Sequence, residues 1–114
     1  MNAYEREKVF FKEVAQSNDI WILADEHGCV MLNSDDEDCV PVWPSEALAT
    51  EWANEDWENC EASSISINKW KSRWTNGLAQ DDLAIVIYPD QQGEGCVIDP
   101  FEFEALLEKS AKAK

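Results

Sequence analysis

The chain has 114 residues, and its 24 Asp and Glu side chains outnumber 9 Lys and Arg, so the formal net charge is -15. That length fits one domain spanning residues 1–114, and an apolar content of 45% with six tryptophans predicts a folded chain rather than a disordered one. Because phosphates and anionic lipid surfaces repel so acidic a chain, and no apolar run approaches the ~20 residues of a spanning helix, we expect no direct nucleic-acid binding and no membrane partner.

The first predicted element is an amphipathic helix over residues 4–17. Its apolar side comprises Tyr4, Phe10, Phe11 and Val14. The charged residues around that side include Arg6. Two apolar runs follow, 20–24 and 29–32, separated by a turn in which Gly28 can adopt a positive φ, and they predict a β-hairpin.

The middle of the chain predicts a strand, a helix and another strand. Residues 39–43 are typical of a strand, but Pro41 cannot donate to a sheet ladder, which favours a sheet edge or a strand end. A helix then starts at Pro44 and Ser45. Residues 64–67 alternate between polar and apolar side chains, as a half-buried strand does.

A further helix is predicted after this strand. Asn68 is a candidate N-cap, and Trp70, Trp74 and Leu78 fall on one stripe of a helix that ends near Gly77. Both tryptophans of this stripe are expected to face the core.

The last third of the chain predicts a hairpin and a final helix. Residues 83–88 are apolar on both faces, as a central strand is, and a flexible turn leads to a strand over 96–98. Asp99 can cap the final helix, with Pro100 at its first position and Glu102 completing a capping box. Together these elements predict an α+β fold: a mixed, largely antiparallel sheet of about five or six strands with helices packed on it.

Charge is distributed unevenly along the chain. From Glu13 to Asn68 there are fourteen Asp or Glu side chains and no Lys or Arg, with local concentrations at 35–38 and 55–58. A single-sign surface of this kind either keeps a protein soluble or attracts a positively charged partner. The candidate partner-binding residues are Asp35, Asp36, Glu37, Asp38, Glu55, Asp56, Trp57 and Glu58.

Trp57 stands out because it lies in a polar segment. It is the candidate aromatic anchor of a protein interface, and a loop tryptophan that folds back onto the core is an equally good interpretation. The acids at 35–38 do not predict a metal site, because a calcium loop counted from Asn33 would have Asp38 in place of the required Gly and Pro44 in place of the required Glu. No glycine-rich phosphate loop is present, so no cofactor is predicted.

The four cysteines, at positions 29, 39, 60 and 96, form no C-x-x-C pair, and we expect reduced thiols. His27 lies two residues before Cys29, so a small thiol-dependent enzyme using Cys29 or Cys39 with His27 is an alternative function. No orienting group or oxyanion hole is recognisable, which makes an enzyme the less favoured hypothesis. The N-terminal residues lack a signal-peptide pattern, and a cytoplasmic protein is expected.

Several blocks of the sequence, at 10–14, 21–28 and 38–44, together resemble a family of small acidic bacterial proteins known as domain of unknown function 2750. The tryptophan-containing segments 52–57 and 70–74 continue the likeness, and Asp-Cys-Val-Pro-Val-Trp-Pro at 38–44 is its most specific part. The resemblance implies a bacterial, single-domain, cytoplasmic protein. It supplies no catalytic residues, because the family has no established activity.

Three functions therefore remain open from the sequence. The leading hypothesis is a non-enzymatic protein-binding module that presents its acidic surface to a basic partner. The alternatives are the thiol-dependent enzyme and an acidity that serves solubility alone. The sequence does not set the oligomeric state.

Overall fold

The computed structural model of the chain describes residues 2–25, 28–29, 31–34, 37–53, 60–90 and 95–112. The strands are β1 (Asp19–Asp25), β2 (Gly28–Cys29), β3 (Leu32–Ser34), β4 (Glu37–Val42), β5 (Glu61–Ser66), β6 (Ala84–Ile87) and β7 (Cys96–Ile98). The helices are α1 (Ala3–Ser17), α2 (Glu46–Trp52), α3 (Ile67–Lys69), α4 (Thr75–Gln80) and α5 (Pro100–Lys112), with a π-helical turn (Trp70–Trp74) that joins α3 to α4. No helix among these residues is long and apolar enough to cross a bilayer.

The described strands form two sheets. The first, in the order β2-β1-β5, is antiparallel, and the second, in the order β3-β4-β6-β7, is mixed because β4 and β6 run parallel. Trp21 in β1 and Trp43 after β4 join the sheets through an isolated antiparallel bridge, with N–H···O distances of 3.0 and 2.8 Å. The α+β class with mixed strand pairing is confirmed.

The predicted single sheet is instead these two smaller ones. The division runs through the apolar run 29–32, which was predicted as one strand. Cys29 pairs with Ala24 in the first sheet, whereas Leu32 pairs with Cys39 in the second. Hydrophobic patterning gives the faces of a strand but not its partner, so it cannot show where a run changes sheets.

Pro41 lies at the junction of the two sheets. Of the two predicted positions, the edge is wrong because β4 lies between β3 and β6, whereas Pro41 does lie near a strand end, one residue before the last residue of β4. However, β3 pairs with β4 only as far as Cys39, and β1 meets the same side of the chain only at Trp43. Alternate residues of a strand point their N–H groups to the same side, so residue 41 faces the gap between these two partners. A proline fits there because it has no N–H to leave unpaired.

The main core lies between the helices and one face of each sheet. The second sheet contributes Val40, Val42, Ile85 and Ile87, all fully buried, and α1 and α5 contribute Phe10 and Phe103. The opposite face of the first sheet contacts α2, where the rings of Trp43 and Trp52 lie 5.3 Å apart. Helices therefore cover both faces of the first sheet.

Helix α1 has the predicted extent but not the predicted orientation about its axis. Tyr4, expected on the buried side, is 60% exposed, whereas Arg6, expected among the solvated charges, is only 8% exposed. Arg6, Phe10 and Val14 are four residues apart and form the most buried line, while Tyr4 is offset towards Phe11 and Ala15. The aromatic character of Tyr4 had suggested the wrong centre for the apolar stripe.

The helical segment 67–80 begins earlier and ends later than predicted. Ser66, not Asn68, is its N-cap, accepting from the N–H of Lys69 at 3.2 Å, and the helix continues past Gly77 to Gln80. Within it the N–H of Thr75 donates to Trp70, five residues earlier, which is the π-helical pattern.

The two tryptophans of this segment differ in burial. Trp70 is fully buried and Trp74 half-buried, and their rings stack 5.1 Å apart.

The predicted start of the final helix is confirmed, since the N–H of Glu102 donates to the Asp99 carboxylate at 2.8 Å.

Candidate functional site

Opposite charges are separated in space as well as in sequence. All nine Lys and Arg lie within residues 6–12, 69–73 and 109–114, so the described positive charges belong to α1, the helical segment 67–80 and α5. The first sheet, β3, β4 and α2 contain none. The molecule therefore has a helical layer of mixed charge and a uniformly acidic region opposite it.

Three strand ends of the acidic region point towards the same edge. β1 is antiparallel to β5, with Ala24 opposite Glu61, so the end of β1 lies beside the start of β5. The bridge between Trp21 and Trp43 is also antiparallel, which turns the start of β4 towards the same edge. The exposed acids of these strand ends are Asp25, Asp38 and Glu61, here called the acidic edge.

The predicted partner-binding residues relate to this edge in different ways. Asp38 belongs to it and lies opposite Asn33, and the backbone of Glu37 opens β4 opposite Ser34. The remaining six predicted residues lie outside the described part of the chain: Asp35, Asp36, Glu55, Asp56, Trp57 and Glu58. Both groups precede strands that start at this edge, namely β4 and β5.

The thiols offer little to the alternative enzyme hypothesis. Cys39 is fully buried against Ala84 and Val86, so a substrate cannot reach it. Cys29 lies in β2, but its side chain, like His27, is outside what the structure describes. Among the described residues, no group of three or more His, Cys, Asp or Glu side chains is arranged to hold a metal ion.

Two further thiols are half-buried and free, and their surroundings disfavour the thiolate form. Burial, and then the charge of Asp25, raise the pKa of the Cys60 thiol above its ordinary value of 9.0. Burial, and then the charge and hydrogen bond of Glu7, raise the pKa of the Cys96 thiol in the same way. Because the thiolate is the reactive form, these environments suppress reactivity.

A second polar cluster surrounds the buried Arg6. Its Nε donates to the carbonyl of Tyr88 at 2.9 Å, and its Nη2 lies 3.9 Å from the Asp90 carboxylate. The indole Nε1 of Trp52 donates to the carbonyl of Asp90 at 2.5 Å. These bonds connect α1 and α2 to the segment that follows β6.

This cluster borders a small cleft of about 150 Å³ at the carboxyl ends of the parallel strands β4 and β6. Its lining residues include Trp43, Leu48 and Glu51. Tyr88 adopts a φ of 45°, a backbone conformation that is strained for a bulky side chain, and its N–H donates to Val42 at 2.8 Å. The volume is well below the ~300 Å³ at which ligand pockets begin, so the cluster is best explained as a structural joint.

Sequence reasoning missed Arg6 although a signal was present. The spacing of Arg6, Phe10 and Val14 places the arginine on the same line as two core residues. A charged residue on a buried line requires partners, and the structure supplies them after β6.

These features define a small acidic α+β protein with one uniformly negative region. Residues 8–107 match the family described as Protein of unknown function (DUF2750). The match covers most of the 114-residue chain, so the protein belongs to this family and the resemblance predicted from its sequence blocks is confirmed. A comparison with curated proteins finds no match. Membership assigns no activity, and function has to be argued from the surface itself.

Proposed function

We propose that this protein is a non-enzymatic protein-binding module whose acidic surface docks a basic partner. The observation that carries the proposal is the charge separation: residues 13–68 contribute fourteen acids and no Lys or Arg. An excess of carboxylates over Lys and Arg creates a negative potential that a basic protein surface can neutralise.

The binding residues in this proposal are Asp35, Asp36, Glu37, Asp38, Glu55, Asp56, Trp57 and Glu58. Support comes from the connectivity of the fold, since residues 35–36 precede β4 and residues 54–59 precede β5, and both strands start at the acidic edge. Asp25, Asp38 and Glu61 would extend the same negative surface.

Charge and apolar contact would have different roles in such an interface. Exposed carboxylates accelerate and orient encounter but add modest affinity, and they are screened beyond about 8 Å at physiological salt. Most of the affinity of protein interfaces comes from a few aromatic or Arg anchors, and Trp57 is the residue proposed for that part.

The proposal places the protein in the bacterial cytoplasm. The free thiols of Cys60 and Cys96 agree with a reducing compartment.

The test is affinity capture from a nuclease-treated bacterial lysate, with two variants that each remove four charges. The first neutralises the proposed site: D35N, D36N, E37Q and D38N. The matched control neutralises four acids of the helical layer and its connections: E5Q, D81N, D82N and E104Q. We expect the parent and the control to retain one basic protein that the site variant loses. Trp57→Ala, made in the parent, should also weaken the retention of that protein.

Retention should also fall when the salt concentration rises several-fold, because screening shortens the range of the attraction. Equal retention by both variants would show that total charge, not the proposed surface, attracts the partner. Recovery of no partner by the parent would leave solubility as the role of the acidity and would overturn the proposal.

A further inference from the structure

A groove with a basic rim, in contrast to the acidic edge, lies on the helical layer. It runs between α1 and α5 and has a volume of about 650 Å³. Its lining residues on α1 extend from Tyr4 to Gln16, and those on α5 include Leu106 and Lys109. This groove is separate from the acidic edge and from the Arg6 cluster.

The floor of the groove is apolar. Phe11 and Ala15 are 8% and 7% exposed, and Leu106 is half-buried beside them. At one end Tyr4 is 60% exposed, a large aromatic surface that the described residues leave in contact with solvent. An apolar strip bordered by charged side chains is the usual form of a site for an amphipathic segment.

The rim of the groove is basic. Lys8, Lys12 and Lys109 are all exposed and supply three of the nine Lys and Arg of a chain whose net charge is -15. Lys8 Nζ lies 4.4 Å from the centroid of the Tyr4 ring, which holds this positive charge at the mouth of the groove.

One acid, Glu7, also borders the groove. Its side chain is half-buried, unlike the exposed lysines, and it lies close to the Cys96 thiol of β7, whose pKa is raised by burial and then by the charge of Glu7. The exposed charge that remains towards the groove is therefore predominantly positive.

We propose that the groove between α1 and α5 binds an acidic amphipathic α-helix of a partner protein. The apolar face of that helix would cover Phe11, Ala15 and Leu106, and its carboxylates would meet Lys8, Lys12 and Lys109. This inference goes beyond the acidic surface, because it concerns another face and a partner of the opposite charge.

The dimensions of the groove fit this occupant. Residues 4–16 of α1 span about 18 Å at 1.5 Å per residue, which is three to four turns of a docked helix. Lys8 and Lys12 are four residues apart, so their stems are about 6 Å apart, the same as two carboxylates at i and i+4 of the partner helix. Helix-in-groove recognition uses this combination of apolar anchors at i, i+3, i+4 and i+7 with flanking charges.

The test uses a fluorescein-labelled peptide of about 15 residues built from Leu, Ala and Glu, long enough to span the groove as a helix. Its Leu residues follow the i, i+3, i+4, i+7 pattern, and Glu flanks them. A peptide of the same composition with scrambled order, and one with Lys in place of Glu, serve as probes of periodicity and charge. Fluorescence anisotropy reports binding to the full chain at about 50 mM salt, where surface charges are only partly screened.

We expect the patterned acidic peptide to bind and the two comparison peptides to bind at least about tenfold more weakly, since each lacks one of the two kinds of contact. Lys8→Glu with Lys12→Glu should weaken binding by about tenfold or more, because two favourable charge contacts become repulsive. The matched control, Lys69→Glu with Arg73→Glu, makes the same charge change at exposed positions outside the groove and should leave binding almost unchanged.

Amide chemical shifts of the labelled protein should change at residues 4–16 and 106–110 when the peptide binds. Thermal unfolding of both double variants shows that they remain folded. Equal weakening by the two variants, or equal binding of the scrambled peptide, would overturn the proposal. So would a dimer of the free protein that K8E and K12E dissociate, because the occupant would then be a second copy of the chain. The acidic edge is intact in every variant, so this result is independent of the proposed function.

Discussion

The acidic region and the helical layer of this protein differ in how far their negative charges are balanced by positive ones. Residues 13–68, which contain the acidic region and the end of α1, carry -14 of the net charge of -15, and the rest of the chain, with nine Lys and Arg against ten acids, carries only -1. In the near-neutral part, ion pairs connect elements, as between Lys71 and Glu108 at 3.5 Å. The acidic region has no basic side chain of its own.

The two regions draw their stability from different interactions. Fourteen like charges oppose compactness, so the acidic region depends on apolar burial, which centres on Trp43 and Trp52 beneath α2. The Arg6 cluster joins the two regions, because an arginine of α1 and the indole of Trp52 both bond to the segment 88–90. Four changes test this division, in order of decreasing effect.

Trp43→Ala should be the most destabilising change. Trp43 is fully buried, packs on Trp52 and lies at the bridge between the sheets, and truncating a buried tryptophan costs about 3–5 kcal/mol. Trp43→Phe should cost only about 1–2 kcal/mol, because the indole Nε1 it removes is buried with no partner among the described residues. Urea unfolding measures both, and equal losses would contradict the prediction, because they would show that an aromatic ring at position 43 is not enough to support the acidic region.

Arg6→Met should cost about 2–3 kcal/mol, because it leaves the Tyr88 carbonyl and the Asp90 carboxylate without their guanidinium contacts. The control is Lys8→Met on the exposed side of the same helix, which should change the free energy of unfolding by less than about 0.5 kcal/mol. If the two variants were equally stable, the joint between the regions would not depend on Arg6.

Salt should stabilise the wild-type protein by about 1 kcal/mol between low ionic strength and 0.5 M, because screening weakens repulsion among the acids. The variant D35N, D36N, E37Q, D38N should show a smaller salt effect than the control E5Q, D81N, D82N, E104Q. Urea unfolding at both salt concentrations makes the comparison, and a larger salt effect in the first variant would contradict it.

The pH dependence should give the smallest effect. Below about pH 9 the Cys96 thiol is protonated in both states, and above it the unfolded chain ionises first because the pKa of the folded thiol is raised. Stability therefore falls as the pH rises through this range. Cys96→Ala should reduce the fall in melting temperature between pH 7 and pH 10, whereas Cys39→Ala is destabilising at both values.

Local signals predicted much of the fold. The Asp99 cap, the start of α2 after Ser45 and the fully apolar β6 depend on neighbouring residues, so the sequence shows them directly. The change of sheet between Cys29 and Leu32 depends on distant partners, and no local pattern records it.

The two proposed binding surfaces also differ in whether they depend on neighbouring or on distant residues. The acidic region was visible because its charges are contiguous in sequence. The groove was not, because Lys8 and Lys109 come from opposite ends of the chain and meet only when α1 packs on α5.

The bridge between Trp21 and Trp43 has a consequence for the order in which the native structure opens. Pro41 has no amide hydrogen, and the N–H groups of Trp21 and Trp43 are bonded across the junction. In native-state hydrogen exchange these two amides report separation of the sheets without global unfolding. Repulsion within the acidic region favours that separation, so at low salt they should lose protection before the amides of β6, which is paired on both sides.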